Sequence, residues 1–307
     1  MVFILPVIAF VLALSMTPFV KRAAIHLGVV DKPGKDPLKI HEDAISLCGG
    51  MVLFICLIIS LVTFLWKYTI GPNEFKAVVG ILLGSMIIFF TGLRDDIKGM
   101  NPTFRLVIQI LAGCILIYAG LGLSIVPFKL ARILLALFYI VGAINAYNVI
   151  DGMDGLCVGV SMISSAGFLL LALIKGNVVM IILSSVICFS LLGILPYNAF
   201  PAKIFLGNAG SGLLGFLLGT LLIMSTMQPL SLSNFMLPVF FVAVPVLDMA
   251  FAILRRLYYR KPLFLGDRDH LYDLMLKRGW SQPKVWAIMC GLQIILVAIG
   301  FAQARLF

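Results

Sequence analysis

Ten apolar stretches recur along the chain and constrain its fold more than any other feature. They cover residues 2–20, 48–66, 76–93, 104–123, 130–148, 156–174, 178–195, 209–227, 235–254 and 285–304. A helix of about 20 apolar residues crosses the hydrocarbon core of a bilayer. Since 62% of the residues are hydrophobic and 12% are charged, an ordinary soluble domain is excluded. We therefore predict an all-α polytopic membrane protein with about ten transmembrane helices, forming one integral-membrane domain over residues 1–307.

The basic residues indicate how these helices are oriented. Most of the 23 Lys and Arg fall in loops that follow odd-numbered stretches, and cytoplasmic loops are enriched in Lys and Arg. We therefore expect those loops in the cytoplasm and both the amino and carboxyl termini outside. Lys21 and Arg22 follow the first stretch, which favours a retained helix over a signal peptide. The same bias explains the net charge of +10, and nothing in it favours nucleic acid as a partner.

The acidic residues point to the face of the membrane where chemistry occurs. Of the 13 Asp and Glu, Glu74 is the one that falls in a predicted outside loop. Acidic residues contribute little to membrane topology, so orientation alone does not explain this distribution. We therefore expect the active site at the cytoplasmic face.

The segment NAYNVIDGMDGL carries the densest set of polar side chains. Asn145, Asn148, Asp151 and Asp154 recur at a spacing of three, which would place them on one face if the preceding helix continued. Gly152 and the next glycine would then end the helix and allow close approach to a ligand. Asp154 could instead be the N-cap of the following helix.

A second acidic segment, GLRDDIKGMNPTFRLVIQ, spans residues 92–109. Asp95 and Asp96 lie where the third helix should end, and neighbouring carboxylates there repel each other and the helix dipole. Lys98, Arg105 or a bound divalent cation could compensate. Asn101, followed by proline, is the predicted N-cap of the fourth helix.

The segment PYNAFPAKIFLGNAGSGLLG, residues 196–215, is rich in glycine before a predicted helix. Backbone N–H groups at such a helix N-terminus suit phosphate, and Lys203 is a nearby cation. However, Gly207, Ser211, Gly215 and Gly219 recur every four residues, which is typical of closely packed membrane helices. Packing better explains the last two, and both interpretations stay open for Gly207 and Ser211.

Two loops carry further candidate ligands. The prolines and glycine of the first loop, residues 21–47, predict no regular structure. Its Lys39 and His41 could meet an anionic head group or nucleotide, or could belong to a solvated loop. In the last loop, residues 255–284, we expect a short interfacial helix, which leaves His270 able to reach a site.

Asp248 stands within the ninth apolar stretch. A charge inside a span is costly and usually pairs with a partner or lines a cavity. The sequence does not distinguish a structural ion pair from a group that holds a site residue.

Together the carboxylates suggest phosphate chemistry. Asp95, Asp96, Asp151 and Asp154 on one face could hold Mg²⁺, which takes oxygen ligands and is usually completed by substrate phosphates. Phosphoryl transfer depends mainly on positioning and charge stabilisation, so carboxylates, a metal and cations suffice.

In this combination the segments GLRDDIKG, NAYNVIDGMDGL and KIFLGNAGS resemble the polyprenyl-phosphate N-acetylhexosamine-1-phosphate transferases. The resemblance covers nearly the whole chain. It implies transfer of a sugar 1-phosphate from a UDP-sugar to undecaprenyl phosphate, with release of UMP, at the cytoplasmic face of the bacterial inner membrane. This step initiates a cell-surface glycan. Mg²⁺ is the implied cofactor, with Mn²⁺ as a substitute, and a homodimer is left open.

The resemblance also implies roles for individual residues. Asp95 and Asp96 would handle the lipid phosphate and assist its attack, with Asp154 as a further catalytic residue. The implied metal ligands are Asp95, Asp96, Asp151, Asp154 and Asn208. The implied substrate-binding residues are Lys39, His41, Lys98, Arg105, Asn145, Asn148, Asp151, Lys203, Gly210, Ser211 and His270.

The chain departs from the family at three places. Asn208 stands where the family usually has a metal-binding Asp, and an amide oxygen can bind Mg²⁺ but brings no charge. The histidine-rich HxHH-type run of many members is replaced by residues 270–273, which read HLYD, suggesting altered sugar recognition. Ala44 and Ser46 replace prolines usual before the second span.

Two rival hypotheses remain. A secondary transporter of an anionic metabolite would have its site near the membrane midplane, whereas most acids here lie at loop edges. The other rival is a weakened relative that binds lipid phosphate without turnover, which Asn208 keeps open.

Overall fold

A computed structural model describes residues 4–31, 44–123, 128–227, 232–262 and 268–304. These residues form a helical bundle and one pair of short strands. The helices are α1 (Ile4–His26), α2 (Gly49–Lys67), α3 (Pro72–Lys98), α4 (Pro102–Tyr118), α5 (Lys129–Ile150), α6 (Leu156–Lys175), α7 (Val178–Asn198), α8 (Gly207–Ser225), α9 (Leu232–Phe240), α10 (Ala243–Tyr258), α11 (Leu271–Lys277) and α12 (Gln282–Ala304). The strands are β1 (Val30–Asp31) and β2 (Ile45–Ser46).

The helices confirm the all-α polytopic fold. Within the described ranges, eight helices are long and apolar enough to cross a membrane, namely α1, α2, α3, α5, α6, α7, α8 and α12. The fourth apolar stretch forms the shorter helix α4, which has 17 residues. Its predicted N-cap is confirmed, because the Asn101 side chain accepts a hydrogen bond of 2.8 Å from the Thr103 N–H.

The prediction of one continuous ninth helix was wrong. The chain there divides into α9, of 9 residues, and α10, of 16 residues. Gln293 of α12 is buried beside the break. Its Nε2 donates to the carbonyl oxygens of Phe240 and Phe241, and its Oε1 accepts from the Val244 N–H. One side chain thus satisfies backbone groups that the interruption leaves without helical partners, as an apolar environment requires.

Replacing Gln293 by Leu is expected to lower the free energy of unfolding by about 2 kcal/mol, because backbone groups at the break lose their buried partner. Thermal unfolding of the detergent-purified protein measures this loss. Gln303→Leu makes the same change near the carboxyl end of the same helix, where Gln303 is half-buried. Equal unfolding temperatures for the two variants would contradict this role of Gln293.

Helix α8 lies at the centre of the bundle. Every residue of α8 except Asn208 is buried, and a helix that is apolar all round belongs in a protein interior. It packs against α2, α3, α5 and α6. A Cβ on Gly215 would lie 2.5 Å from the Ile144 Cα of α5, and a Cβ on Gly210 would lie 2.7 Å from the Gly50 Cα of α2. The small residues of α8 therefore allow two neighbouring backbones to approach closely.

The first loop is more regular than we predicted at both of its described ends. Val30 pairs with Ser46 and Asp31 with Ile45, in antiparallel register. Beyond β2, the Phe205 N–H donates to the Ser46 carbonyl oxygen at 2.8 Å, and the Gly49 N–H donates to the Phe205 carbonyl oxygen at 2.9 Å. These contacts tie the segment before α8 to the start of α2.

Candidate active site at one end of the bundle

A cavity of about 220 Å³ lies where α3 and α5 end and where α6 and α8 begin. Its walls include residues from three of the predicted segments, Asp96, Asn148, Asp151, Asp154, Asn208 and Ser211. The structure therefore brings together side chains that are up to 115 positions apart in sequence, counted from Asp96 to Ser211. The helix termini place their polar groups at the bundle end, away from the apolar middle of each helix.

Asp96 holds the N-terminus of α8. Its Oδ1 accepts a hydrogen bond of 2.8 Å from the Asn208 N–H, and its Oδ2 accepts one of 3.1 Å from the Ala209 N–H. These are backbone donors that one of our two interpretations of this turn left available to phosphate. The structure corrects this point, because a carboxylate of the protein already occupies them. Negative charge at a helix N-terminus is stabilised by those donors and by the helix dipole.

Gly207 makes this contact sterically allowed. Its φ of +71° favours glycine, and a Cβ there would lie 2.6 Å from both the Asp96 Oδ2 and the Leu47 carbonyl oxygen. Close approach of a carboxylate, in addition to helix packing, thus explains the first glycine of the small-residue series.

Asn148, Asn208 and Ser211 form a hydrogen-bonded cluster on the cavity wall. Asn148 Nδ2 donates to Asn208 Oδ1 at 2.7 Å and to Ser211 Oγ at 3.1 Å, and Ser211 Oγ donates to the Gly207 carbonyl oxygen at 3.0 Å. Asn148 and Asn208 also line a second cavity of about 20 Å³, beside Arg105. The amide pair therefore separates the main cavity from this smaller one.

Asp151 and Asp154 both line the main cavity. Asp151 is half-buried directly after α5. Desolvation raises its pKa well above the ordinary value, and the Asp96 carboxylate adds to this rise. The alternative interpretation of Asp154 as an N-cap was wrong, because Gly155, with φ of +70°, is the N-cap of α6. Asp154 Oδ2 instead accepts a hydrogen bond of 2.9 Å from the Ala202 N–H.

Asp95 points away from the main cavity. Its Oδ2 lies 2.9 Å from Arg105 Nη1 in a partly buried ion pair. Successive residues of a helix point about 100° apart, so Asp95 and Asp96 reach different partners. Arg105 therefore compensates one carboxylate of the pair, and the N-terminus of α8 compensates the other. Lys98 is exposed at the end of α3.

Four other predicted ligands do not line the main cavity as the structure describes it. Asn145 donates to Gln109 Oε1 at 2.8 Å and to the Val141 carbonyl oxygen, so it faces α4. Gly210 packs against Gly50, Lys203 is exposed, and His270 lies in a buried pair. Lys39 and His41 lie outside the described residues.

The His270 pair attaches the last loop to α10. His270 Nδ1 lies 3.0 Å from Asp248 Oδ2, and the Leu271 N–H donates to Asp248 Oδ1 at 2.7 Å. Both side chains are buried. Of the two roles left open for Asp248, the structure thus favours a structural pair that positions the short helix α11, whose existence the sequence predicted.

Sequence reasoning missed two charged residues of the cavity, Arg268 and Asp31. Both lie in loops with several charges, so local pattern gave no reason to single them out. Arg268 Nη1 donates to the Gly152 carbonyl oxygen at 3.3 Å and to Asp273 Oδ1 at 3.2 Å. Arg268 therefore brings a guanidinium to the wall of the cavity, next to the turn that follows Asp151.

The described residues do not form a complete metal cage. Within them, no group of three or more His, Cys, Asp and Glu side chains is arranged to hold a metal ion. The predicted five-ligand set is therefore not assembled as such, and Asp95 is turned toward Arg105. Asp96 and Asp151 both line the cavity, and a cation bound by both would offset the repulsion between their like charges. The oxygen donors fit an ion such as Mg²⁺, which uses few protein carboxylates and keeps waters or phosphates as its other ligands.

Residues 78–226 match the protein family described as Glycosyl transferase family 4. The chain is 32% identical over 288 residues to a Bacillus subtilis protein named probable undecaprenyl-phosphate N-acetylglucosaminyl 1-phosphate transferase, covering 90% of this chain and 78% of that protein. It is 28% identical over 302 residues to the Escherichia coli K12 protein named undecaprenyl-phosphate alpha-N-acetylglucosaminyl 1-phosphate transferase, covering 92% and 78%.

A third relative is named for a different lipid. The Mycobacterium tuberculosis H37Rv protein named decaprenyl-phosphate N-acetylglucosaminephosphotransferase is 29% identical over 321 residues, covering 94% of this chain and 78% of that protein. The matched regions include all the described residues that line the main cavity between Asp96 and Ser211.

Proposed function

The chain belongs to glycosyl transferase family 4, the polyprenyl-phosphate N-acetylhexosamine-1-phosphate transferases, and we propose that it catalyses the reaction of that family. It transfers a sugar 1-phosphate from a UDP-sugar to undecaprenyl phosphate and releases UMP. The product initiates a cell-surface glycan. Since the relatives are named for N-acetylglucosamine, UDP-N-acetylglucosamine is the first donor to test.

The observation that carries this proposal is the main cavity at the end of the bundle. Its walls combine Asp96, Asp151 and Asp154 with the guanidinium of Arg268. A cavity at the ends of membrane helices can be reached both by a water-soluble nucleotide sugar and by a phosphate on a lipid. Such a site can bring the two phosphates together, which is the main requirement of phosphoryl transfer.

We propose Mg²⁺ as the cofactor, held by Asp151 and Asp96 with the amide oxygen of Asn208 nearby. When bound, the ion neutralises phosphate charge and polarises the phosphoryl oxygens. The presence of both carboxylates on the wall of one small cavity supports this assignment, because two like charges that share a site favour a cation between them.

The protein's own groups orient the reactants. Asp96 is fixed by two backbone N–H donors, so its position does not depend on side-chain flexibility. Asn148 and Ser211 keep the wall of the cavity rigid. Arg268 offers N–H donors to the diphosphate of the donor, since a guanidinium matches phosphate geometry.

The orientation follows from the basic loops. We propose that the cavity faces the cytoplasm of a bacterial cell, with both termini on the outer side of the cytoplasmic membrane. This placement agrees with a UDP-sugar donor, which is a soluble nucleotide.

Turnover by the purified protein tests the function directly. UMP release from UDP-N-acetylglucosamine is measured in liposomes that contain undecaprenyl phosphate, and the lipid product is identified by its mass. We expect UMP release that depends on both substrates. Uptake of an anionic metabolite into sealed vesicles without a lipid product would support a transporter instead. The structure does not favour that rival, because Asp248 is buried in a pair with His270.

Replacing Asn208 by Asp tests whether this position contacts the metal. The added carboxylate increases the negative charge of the cavity, so we expect the Mg²⁺ concentration for half-maximal activity to fall by about tenfold. Initial rates of UMP release across a Mg²⁺ titration give the value. Asn101→Asp is the matched control, because it makes the same change at an exposed N-cap that tolerates Asp equally well. An unchanged Mg²⁺ dependence in Asn208→Asp would exclude position 208 as a metal ligand.

A further inference from the structure

Arg268 lines the main cavity and is held by two hydrogen-bond acceptors. Its Nη1 donates to the carbonyl oxygen of Gly152, the residue after Asp151, and to Asp273 Oδ1. Its side chain is 22% exposed. Both contacts use one nitrogen of a group that has five N–H donors, so the other donors can reach a ligand in the cavity.

Asp273 lies behind Arg268 and does not line the cavity. Its side chain is 4% exposed, and its Oδ2 is buried without a hydrogen-bond partner among the described residues. Burial raises the pKa of Asp273, and the Arg268 guanidinium opposes that rise. A buried carboxylate with one satisfied oxygen is costly for folding, so stability alone does not explain why it is present.

Tyr272 fixes the backbone that carries Asp273. Its hydroxyl donates to the Val149 carbonyl oxygen at 3.2 Å, and its ring stacks on His270 with an interplanar angle of 9°. A Cβ at Gly152 would overlap the Tyr272 hydroxyl. Helix α11 and the turn after α5 are therefore packed together without space between them, and the position of Asp273 relative to the cavity is fixed.

Tyr272 and Asp273 belong to the HLYD run, residues 270–273, at the place where many members of the family have histidines.

We infer that Asp273 is a positioning residue that acts through Arg268. It holds the guanidinium at the wall of the cavity in the orientation that binds the diphosphate of the nucleotide donor. This inference rests on the proposed function, because it takes a UDP-sugar as the ligand. Freezing a long side chain on binding opposes affinity, and a guanidinium already held by Asp273 and Gly152 avoids most of that loss. Asp273 should therefore affect donor binding and leave the chemical step unchanged.

Two measurements test the inference on the full chain purified in detergent. The first is the dissociation constant of UDP from a binding titration. The second is a steady-state kinetic measurement that gives KM and kcat for the UDP-sugar separately. Asp273→Asn keeps the size of the side chain and removes its charge. We expect it to weaken UDP binding and to raise KM by about tenfold, with kcat within about twofold of the original protein. Asp273→Glu, which restores the charge, should recover most of the affinity.

A double-mutant cycle shows whether Asp273 acts through Arg268. In the Arg268→Gln background, Asp273→Asn should have no further effect on UDP binding, since the group that it positions is gone. Asp269→Asn is the matched control in the same loop. Asp269 pairs with Lys277 and Arg255 away from the cavity, so this change should leave the UDP affinity unaltered.

The outcomes separate this inference from the proposed function. The positioning role would be overturned if Asp273→Asn left the UDP affinity unchanged. It would also be overturned if Asp273→Asn weakened UDP binding as much in the Arg268→Gln background as in the original protein. Failure of the original protein to bind UDP would overturn it as well. A protein that binds UDP, shows the expected coupling and yet releases no UMP would contradict the proposed reaction while the positioning of Arg268 by Asp273 stands.

Discussion

Asp151→Asn is expected to reduce UMP release by about 10³-fold, which is the order of loss when a charged group that stabilises a phosphoryl-transfer transition state is removed. Asp151 lines the main cavity, where burial raises its pKa and the Asp96 carboxylate adds to that rise. An Asn keeps the shape of the side chain but cannot neutralise a cation. Initial rates with saturating donor and lipid measure the loss.

A measurement of the unfolding temperature distinguishes this loss of activity from a loss of folding. Removing a carboxylate that is desolvated and repelled by a neighbour should leave the unfolding temperature unchanged or raise it. Asp269→Asn, which removes a charge paired with Lys277 and Arg255 at the same end of the bundle, should keep nearly full activity. If Asp151→Asn retained more than about a tenth of the original rate, the role of this carboxylate in charge stabilisation would be wrong.

Gly215→Ala is expected to be the most damaging small change in the helical bundle. The new Cβ would lie 2.5 Å from the Ile144 Cα and 2.6 Å from the Ala143 carbonyl oxygen. Because both atoms belong to the backbone of α5, no side chain can rotate away to make room. We expect the free energy of unfolding to fall by about 3 kcal/mol and activity to fall with it, since α5 carries Asn148 and leads into Asp151.

Gly212→Ala is the matched control on the same helix. A Cβ there would meet only the Ile88 Cγ2 at 3.5 Å, which is an ordinary contact. Alanine also has the higher helix propensity, so this variant should be as stable as the original protein or more so. Thermal unfolding of both variants in the same detergent makes the comparison. Similar unfolding temperatures would mean that α5 and α8 are not packed as closely as the structure indicates.

The membrane helices were predictable because each depends on local sequence. Length and apolarity decide whether a segment can cross a bilayer, and neither depends on neighbours. The same reasoning failed at the ninth stretch, where Gln293 of α12 satisfies the backbone of the interruption between Phe240 and Ala243. That partner is about 50 residues away in sequence, so the local pattern of α9 and α10 could not reveal it.

The candidate site was predictable in its residue types and less so in its contacts. Asp96, Asn148, Asp151, Asp154, Asn208 and Ser211 do gather at one cavity. However, Asn145 faces α4 although it shares the spacing of three with Asn148. Three residues turn a helix by about 300°, so the two side chains point about 60° apart and reach different neighbours.

The sequence by itself determined the membrane class of the protein, the approximate positions of most helices and the segments from which the cavity is built. Only the tertiary structure decided which charges face the cavity. Asp95 pairs with Arg105, Asp96 takes the backbone donors of α8, and Arg268 enters from the last loop. The physical reason is that insertion into a membrane follows from the chain's own apolarity, whereas the direction and partner of a charged side chain depend on groups that packing brings from distant parts of the chain.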